Sequence, residues 1–235
     1  MKKPISMLLI CTFFIVTFFS SNAFAWGRET PEITFMNLKF GSTFREVMDY
    51  LLEENGLNNV DDLLENNMLG GRIRKVESRK MYIVTLKNPL NLYDCDLNVD
   101  LCFLWPSEKN TNLNDSYFVR AVCSSMAFSD TSGEFFSYME NGRITDADID
   151  SLIKATEGVK SESRSVYDKL LSGLNADYGE GKSFSGQYQW TKFMRLSLNG
   201  YRSYNMGIWM ETENRSSSLG KSSTVYLYFG VTDKI

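Results

Sequence analysis

The chain of 235 residues contains no histidine. That removes Ser-His and Cys-His nucleophile activation, imidazole metal sites and imidazole acid-base work, and leaves carboxylates, Lys and Tyr as candidate groups. Asp94, Asp96, Asn98 and Asp100 have the D-x-D-x-N-x-D spacing that opens a calcium loop. The sixth position, where such a loop turns on Gly, is Val99, and the twelfth, where a bidentate Glu belongs, is Trp105. Leu97, Val99 and Leu101 alternate with the acids, so the pattern is read as the solvated face of a strand. Asn141-Gly142-Arg143-Ile144 and Asp148 fit the back half of such a loop, but Ser137 and Met139 stand in its leading ligand positions, so a turn and helix cap are expected.

Ser151-Leu152-Ile153-Lys154 has the S-x-x-K spacing in which lysine activates serine. Its partner motifs S-D-N and K-T-G are absent, and Ile149, Leu152 and Ile153 are expected to take the buried side of a helix. Gly181-Lys182-Ser183 lacks the earlier glycine of a phosphate-binding loop, Ala176 standing there, and reads as a loop. No catalytic residue, metal ligand or cofactor is assigned.

The residues that remain are aromatic. If Tyr204, Met206, Ile208 and Met210 face the helices, period-two alternation places Tyr201 and Trp209 on the opposite face of their strand. If Val225, Leu227 and Phe229 point inward, Tyr226 and Tyr228 point outward. Tyr and Trp on an open sheet face bury large area with little entropy loss, so Tyr201, Trp209, Tyr226 and Tyr228 form the candidate binding set. The structural alternative is that the same face packs on another sheet or on a second protomer.

The elements that must carry these residues are legible from caps and periods. Thr43 and Glu46 have capping-box spacing, Phe44, Val47, Met48, Leu51 and Leu52 form an apolar stripe, and Gly56 closes the helix. A shorter helix is expected over 60–68. Strands are expected at 81–86, 97–105 and 117–128. The second half has a capping box at Thr145 and Asp148, with a first helix stopped by Gly158 and a second over 165–178 stopped by Gly179. Strands are then expected at 188–198, 201–212 and 224–231.

Residues 1–25 have the form of a secretory leader. Lys2 and Lys3 precede an apolar run over 5–19, and Ala23-Phe24-Ala25 supplies a cleavage site, so the processed chain begins at Trp26. The net charge of −4 becomes −6 when Lys2 and Lys3 leave with the leader. Such a balance disfavours nucleic acid as a partner. Export places Cys95, Cys102 and Cys123 where a disulfide can form. Cys95 and Cys102 on one strand lie about 23 Å apart, so Cys123 is the expected shared partner of one or the other.

Two successive ααβββ units, the first opened by Phe40-Gly41-Ser42-Thr43-Phe44-Arg45-Glu46-Val47, resemble the fold shared by β-lactamase inhibitor protein and the BamE/SmpA outer-membrane assembly lipoproteins. The resemblance rests on element order and on this one G-x-[ST]-x-x-[EQ]-V type helix start. It implies a protein that binds through a sheet face; no lipid-attachment cysteine motif is present. The expectation is thus an α+β protein of two tandem units, 26–130 and 131–235, with helices on one face of antiparallel sheets. It is a periplasmic or secreted non-enzymatic protein whose partner is a protein of the envelope or exterior. The rival is an exported carboxylate hydrolase drawing two acids from the Asp94–Asp100 region or the loops.

Overall fold

The computed structural model describes residues 34–66, 71–132, 142–184, 186–198, 202–217 and 220–232. Tyr201 and residues 1–25, where a leader is expected, lie outside them. The elements are β1 (Thr34–Phe35), β2 (Leu38–Lys39), α1 (Phe44–Glu54), α2 (Val60–Leu63), β3 (Ile73–Val76), β4 (Met81–Thr85), β5 (Leu90–Leu92), β6 (Cys95–Leu104), β7 (Tyr117–Asp130), α3 (Asp146–Tyr178), β8 (Lys182–Phe184), β9 (Gln187–Leu198), β10 (Arg202–Ser216) and β11 (Gly220–Val231).

Nine described strands make one antiparallel sheet in the order β3-β4-β6-β7-β11-β10-β9-β8, with β5 paired to β6. The last strand, β11, lies directly against β7, so strands from both halves of the chain share one sheet. The class is α+β.

The sheet is asymmetric because its long strands alternate. On one side Leu97, Val99, Leu101, Ala121, Cys123, Val225, Leu227 and Met210 are buried and meet α1 and α3 in one core. α1 starts where it was expected. The Thr43 hydroxyl accepts from the Glu46 amide at 3.4 Å, and the Glu46 carboxylate accepts from the Thr43 amide at 2.7 Å. Its first turn is tied to the sheet, since the Phe44 amide donates to the Ser116 carbonyl at 2.8 Å and the Phe118 amide to the Ser42 carbonyl at 2.8 Å. Phe44, Val47, Met48 and Leu51 are the side chains it buries.

α3 corrects the expected helix pair. It is one helix of 33 residues, and Gly158 sits exposed inside it instead of ending it. An internal glycine costs about 1 kcal/mol, too little to break a helix whose next turns bury Val159, Leu170 and Leu174 against the sheet. The N-terminal part behaves differently from expectation, because Ile149 and Ile153 are 45% and 49% exposed rather than facing inward. Farther along, the Tyr93 ring lies where a Cβ on Gly173 would stand, the Tyr93 hydroxyl donates to the Asp177 carboxylate, and Lys169 Nζ donates to the Asp94 carbonyl at 3.4 Å. The β5–β6 turn is thereby latched to the helix.

The expected disulfide is absent. Cys95, Cys102 and Cys123 are free and buried. Cys123 is level with Val99, three residues from Cys102 and four from Cys95 along β6. Those offsets are roughly 10 and 13 Å at strand rise, beyond the reach of a disulfide. Cys102 also points to the face opposite Cys95 and Cys123.

Candidate binding surface

Period two gives the second face of the sheet its composition. Where β7 sends Ala121, Cys123 and Ala127 into the core, it sends Val122, Ser124, Met126 and Phe128 the other way. β11 does the same with Tyr226 and Tyr228, and β10 with Trp209, Glu211 and Glu213. The core against which α1 and α3 pack lies wholly on the other side of these strands.

Register brings the aromatic residues together. Val122, Tyr228, Trp209 and Gln189 stand in one cross-strand row, and Ser124, Tyr226 and Glu211 in the next. Trp209 and Tyr228 stack with centroids 4.6 Å apart and planes 3° apart, and Tyr226 tilts against Tyr228 at 6.0 Å. Cross-strand aromatic pairs of this kind add about 0.2–1 kcal/mol to the sheet.

Arg120 completes the cluster from the preceding row, level with Gly230 and, beyond it, Gly207. Gly230 has φ +112°, and a Cβ there would come within 2.3 Å of the Val119 carbonyl oxygen. No side chain therefore stands in the way. The guanidinium reaches to 5.1 Å from the Trp209 ring centroid while Nε and a terminal nitrogen donate to the Val231 carbonyl at 2.9 and 2.6 Å.

This packing sorts the sequence-derived residues. Trp209 is only 9% exposed, so it supports the surface from beneath instead of presenting a ring to a partner. Tyr226 and Tyr228 are half-buried and keep accessible edges. Tyr201 lies outside the described residues. Alternation found the face, but the adjoining Met126 and Phe128, 60% and 56% exposed, were missed, as was Phe184 at 70% on β8. Extending the alternation along 117–128 would have found the first two. Gly181-Lys182-Ser183 was expected as a loop, but Lys182 and Ser183 belong to β8, paired with Gln189 and Tyr188 of β9.

Polar groups on this face are held by neighbours. Glu211 accepts from the Tyr228 hydroxyl at 2.7 Å and from Gln187 Nε2 at 2.6 Å. Burial, then the bond to Glu211, push the Tyr228 phenol up, so it stays a donor. Glu213 is chelated by Arg215 through two 3.0 Å bonds, which hold its carboxyl below the usual range. That suits an ion pair and not a general acid. In β6, Asp100 accepts from Thr85 and from Arg74 at 3.3 Å, and Asp96 accepts from Asn91 at 2.8 Å. Asp96, Asn98 and Asp100 thus occupy one side of a strand. Among the described residues no group of three or more His, Cys, Asp or Glu is placed to hold a metal ion, and no helix is long and apolar enough to cross a membrane.

Comparison with family models, with curated proteins and with solved structures finds no match to this chain.

Proposed function

We propose that this chain is an exported, non-enzymatic binding protein, periplasmic or secreted after cleavage following Ala25, that engages a protein of the cell envelope or exterior through the helix-free face of its sheet. The observation that carries the reading is that one face bears Met126, Phe128 and Phe184, each more than half exposed, as well as the half-buried Tyr226 and Tyr228. Isolated exposed apolar residues are ordinary, but several on one sheet face that also presents tyrosine rings mark an interaction site. Trp209 and Arg120 hold Tyr228 from below, which gives the contact residues a rigid base and lowers the entropy lost on binding. The charged groups favour binding over hydrolysis, since Asp96, Asp100, Glu211 and Glu213 are each engaged by a neighbour.

The likeness to the fold of β-lactamase inhibitor protein and the BamE/SmpA lipoproteins belongs to the same proposal, as does its tandem form. What supports the reading is that each half supplies a helical segment followed by antiparallel strands, the first opened by the Thr43–Glu46 capping box.

The test is co-purification from the native envelope. Tyr226→Ala and Phe128→Ala should each lose a partner that the unaltered chain recovers, with an unchanged circular dichroism spectrum. Equal recovery by the folded variants overturns the proposal.

A further inference from the structure

Methionine is an apolar side chain that an oxidant turns reversibly into a polar one, so its placement on a binding face has a chemical consequence. Among the described side chains, Met48, Met81, Met206 and Met210 are at most 3% exposed, and Met36, at the β1–β2 turn, is 36% exposed. Met126 is 60% exposed and lies on the helix-free face of the sheet.

Small residues flank it. Its cross-strand partner on β11 is Thr224, its neighbour on the same face of β7 is Ser124, and Tyr226 is level with Ser124. Phe128, on the other side, leans away, since its ring fills the place of a Cβ on Gly220, which is level with Asp130. The thioether is thus open to solvent in the free chain, one diagonal step of about 7–8 Å from Tyr226. Met126 stands in the row between those of Tyr226 and Phe128, so a partner that covers both rings covers its sulfur as well.

We propose that Met126 is a redox switch on this face: its oxidation to the sulfoxide by a peroxide releases the protein partner, and reduction of the sulfoxide restores binding. The inference rests on the function proposed above for the face. The thioether sulfur attacks a peroxide oxygen; the O–O bond breaks, an S–O bond forms, the sulfur gives up two electrons, and hydrogen peroxide leaves as water. Return to the thioether takes two electrons and two protons from a pair of thiols, which become a disulfide while the oxygen leaves as water. A sulfoxide oxygen demands a hydrogen bond that a contact shaped around a thioether does not supply, and burying it unpaired should weaken binding about tenfold or more. Export, which belongs to the same reading, places the chain where cytosolic thiols no longer protect it.

Graded hydrogen peroxide on the purified chain, followed by peptide mass mapping and by recovery of the partner from native envelope, tests this. Sulfoxide should form at Met126 ahead of Met36 and of the buried Met48, Met81, Met206 and Met210, with unchanged circular dichroism. Partner recovery should fall in proportion to the fraction of Met126 oxidised. Methionine sulfoxide reductases for both epimers, with dithiothreitol, should return the thioether and the recovery together. Met36→Leu should stay as sensitive to peroxide as the unaltered chain, whereas Met126→Leu should recover the same amount before and after treatment; if that variant binds poorly, the reductase experiment decides. Recovery that persists with Met126 oxidised, loss that follows a different methionine, or loss that the reductases do not reverse would overturn the switch and leave the function of the face standing. An untreated chain that recovers no partner overturns that function, and the switch with it.

Discussion

The indole of Trp209 and the phenol of Tyr228 lie parallel on the face of the sheet away from the helices, 4.6 Å apart and within 3° of coplanar orientation. The pair joins β10 to β11, and the Arg120 guanidinium beside it joins both to β7. What alternation presents as a set of equivalent outward aromatics is therefore layered, with Trp209 beneath and the tyrosines above.

The layering separates stability from recognition. Trp209→Ala empties a buried site and should cost about 3–5 kcal/mol in urea unfolding. Tyr226→Ala removes a half-exposed ring and should cost about 1 kcal/mol or less while abolishing partner recovery. Equal losses of stability in the two variants would contradict the assignment.

The two glycines of α3 should respond in opposite directions. Nothing lies within 4 Å of a Cβ added at Gly158, so Gly158→Ala should stabilise the chain by about 0.5–1 kcal/mol. A Cβ at Gly173 falls 2.2 Å from the Tyr93 ring, so Gly173→Ala should destabilise by about 1–3 kcal/mol as the latch to the β5–β6 turn is pushed apart. Thermal unfolding of both variants is the measurement. A helix broken at Gly158 would make the first substitution neutral or harmful.

Burial pushes the Cys102 thiol up to about 12 and moves the Cys123 thiol in the same direction. Both are accordingly protonated at neutral pH and slow to alkylate. Labelling of Cys95, Cys102 and Cys123 should be incomplete in the native chain and complete after denaturation, without added reductant. The sign for stability follows from the raised values. The unfolded thiols ionise from about pH 8.5 while the folded ones stay protonated, so the unfolded state binds fewer protons. Stability attributable to these groups is intact below that pH and falls as pH rises toward 12. A chain that resists denaturant equally at pH 7 and pH 10 would contradict the burial.

At the other end of the scale, the Thr43 amide and hydroxyl hold the Glu46 carboxyl below its ordinary value. The cap is intact above the carboxylate range and is lost as pH falls through the depressed folded value. Thr43→Ala should cost about 1 kcal/mol at pH 7 and less in acid, where Glu46 is protonated in both chains. Denaturant titrations at the two pH values would reveal a pH-independent cost if the box were not formed.

Much of this was readable in the sequence. Capping residues are local, so α1 and the start of α3 at Thr145 were placed by their own side chains, and the five long strands and the short β4 were found to within about four residues, whereas β3, β5 and β8 were not expected. What failed depended on distant partners. Gly158 reads as a stop unless one knows that Val159 and the turns after it bury against β7 and β11. Ile149 and Ile153 read as core because an apolar stripe does not say whether the sheet reaches it. The disulfide failed for a similar reason, since the register of Cys123 against Val99 is set by the whole β6–β7 ladder. Trp209 was placed on the right side of its strand, but its burial depends on an arginine 89 positions away and on the glycine it passes.

The central claim is that the helix-free face meets a protein. A photocrosslinking amino acid in place of Phe128, on that face, and another in place of Lys109, in the exposed loop before β7, tests it in the native envelope. The account predicts one discrete protein adduct from position 128, lost when Tyr226→Ala is added, and none from position 109. No adduct at 128, or the same adducts from both positions, would contradict it.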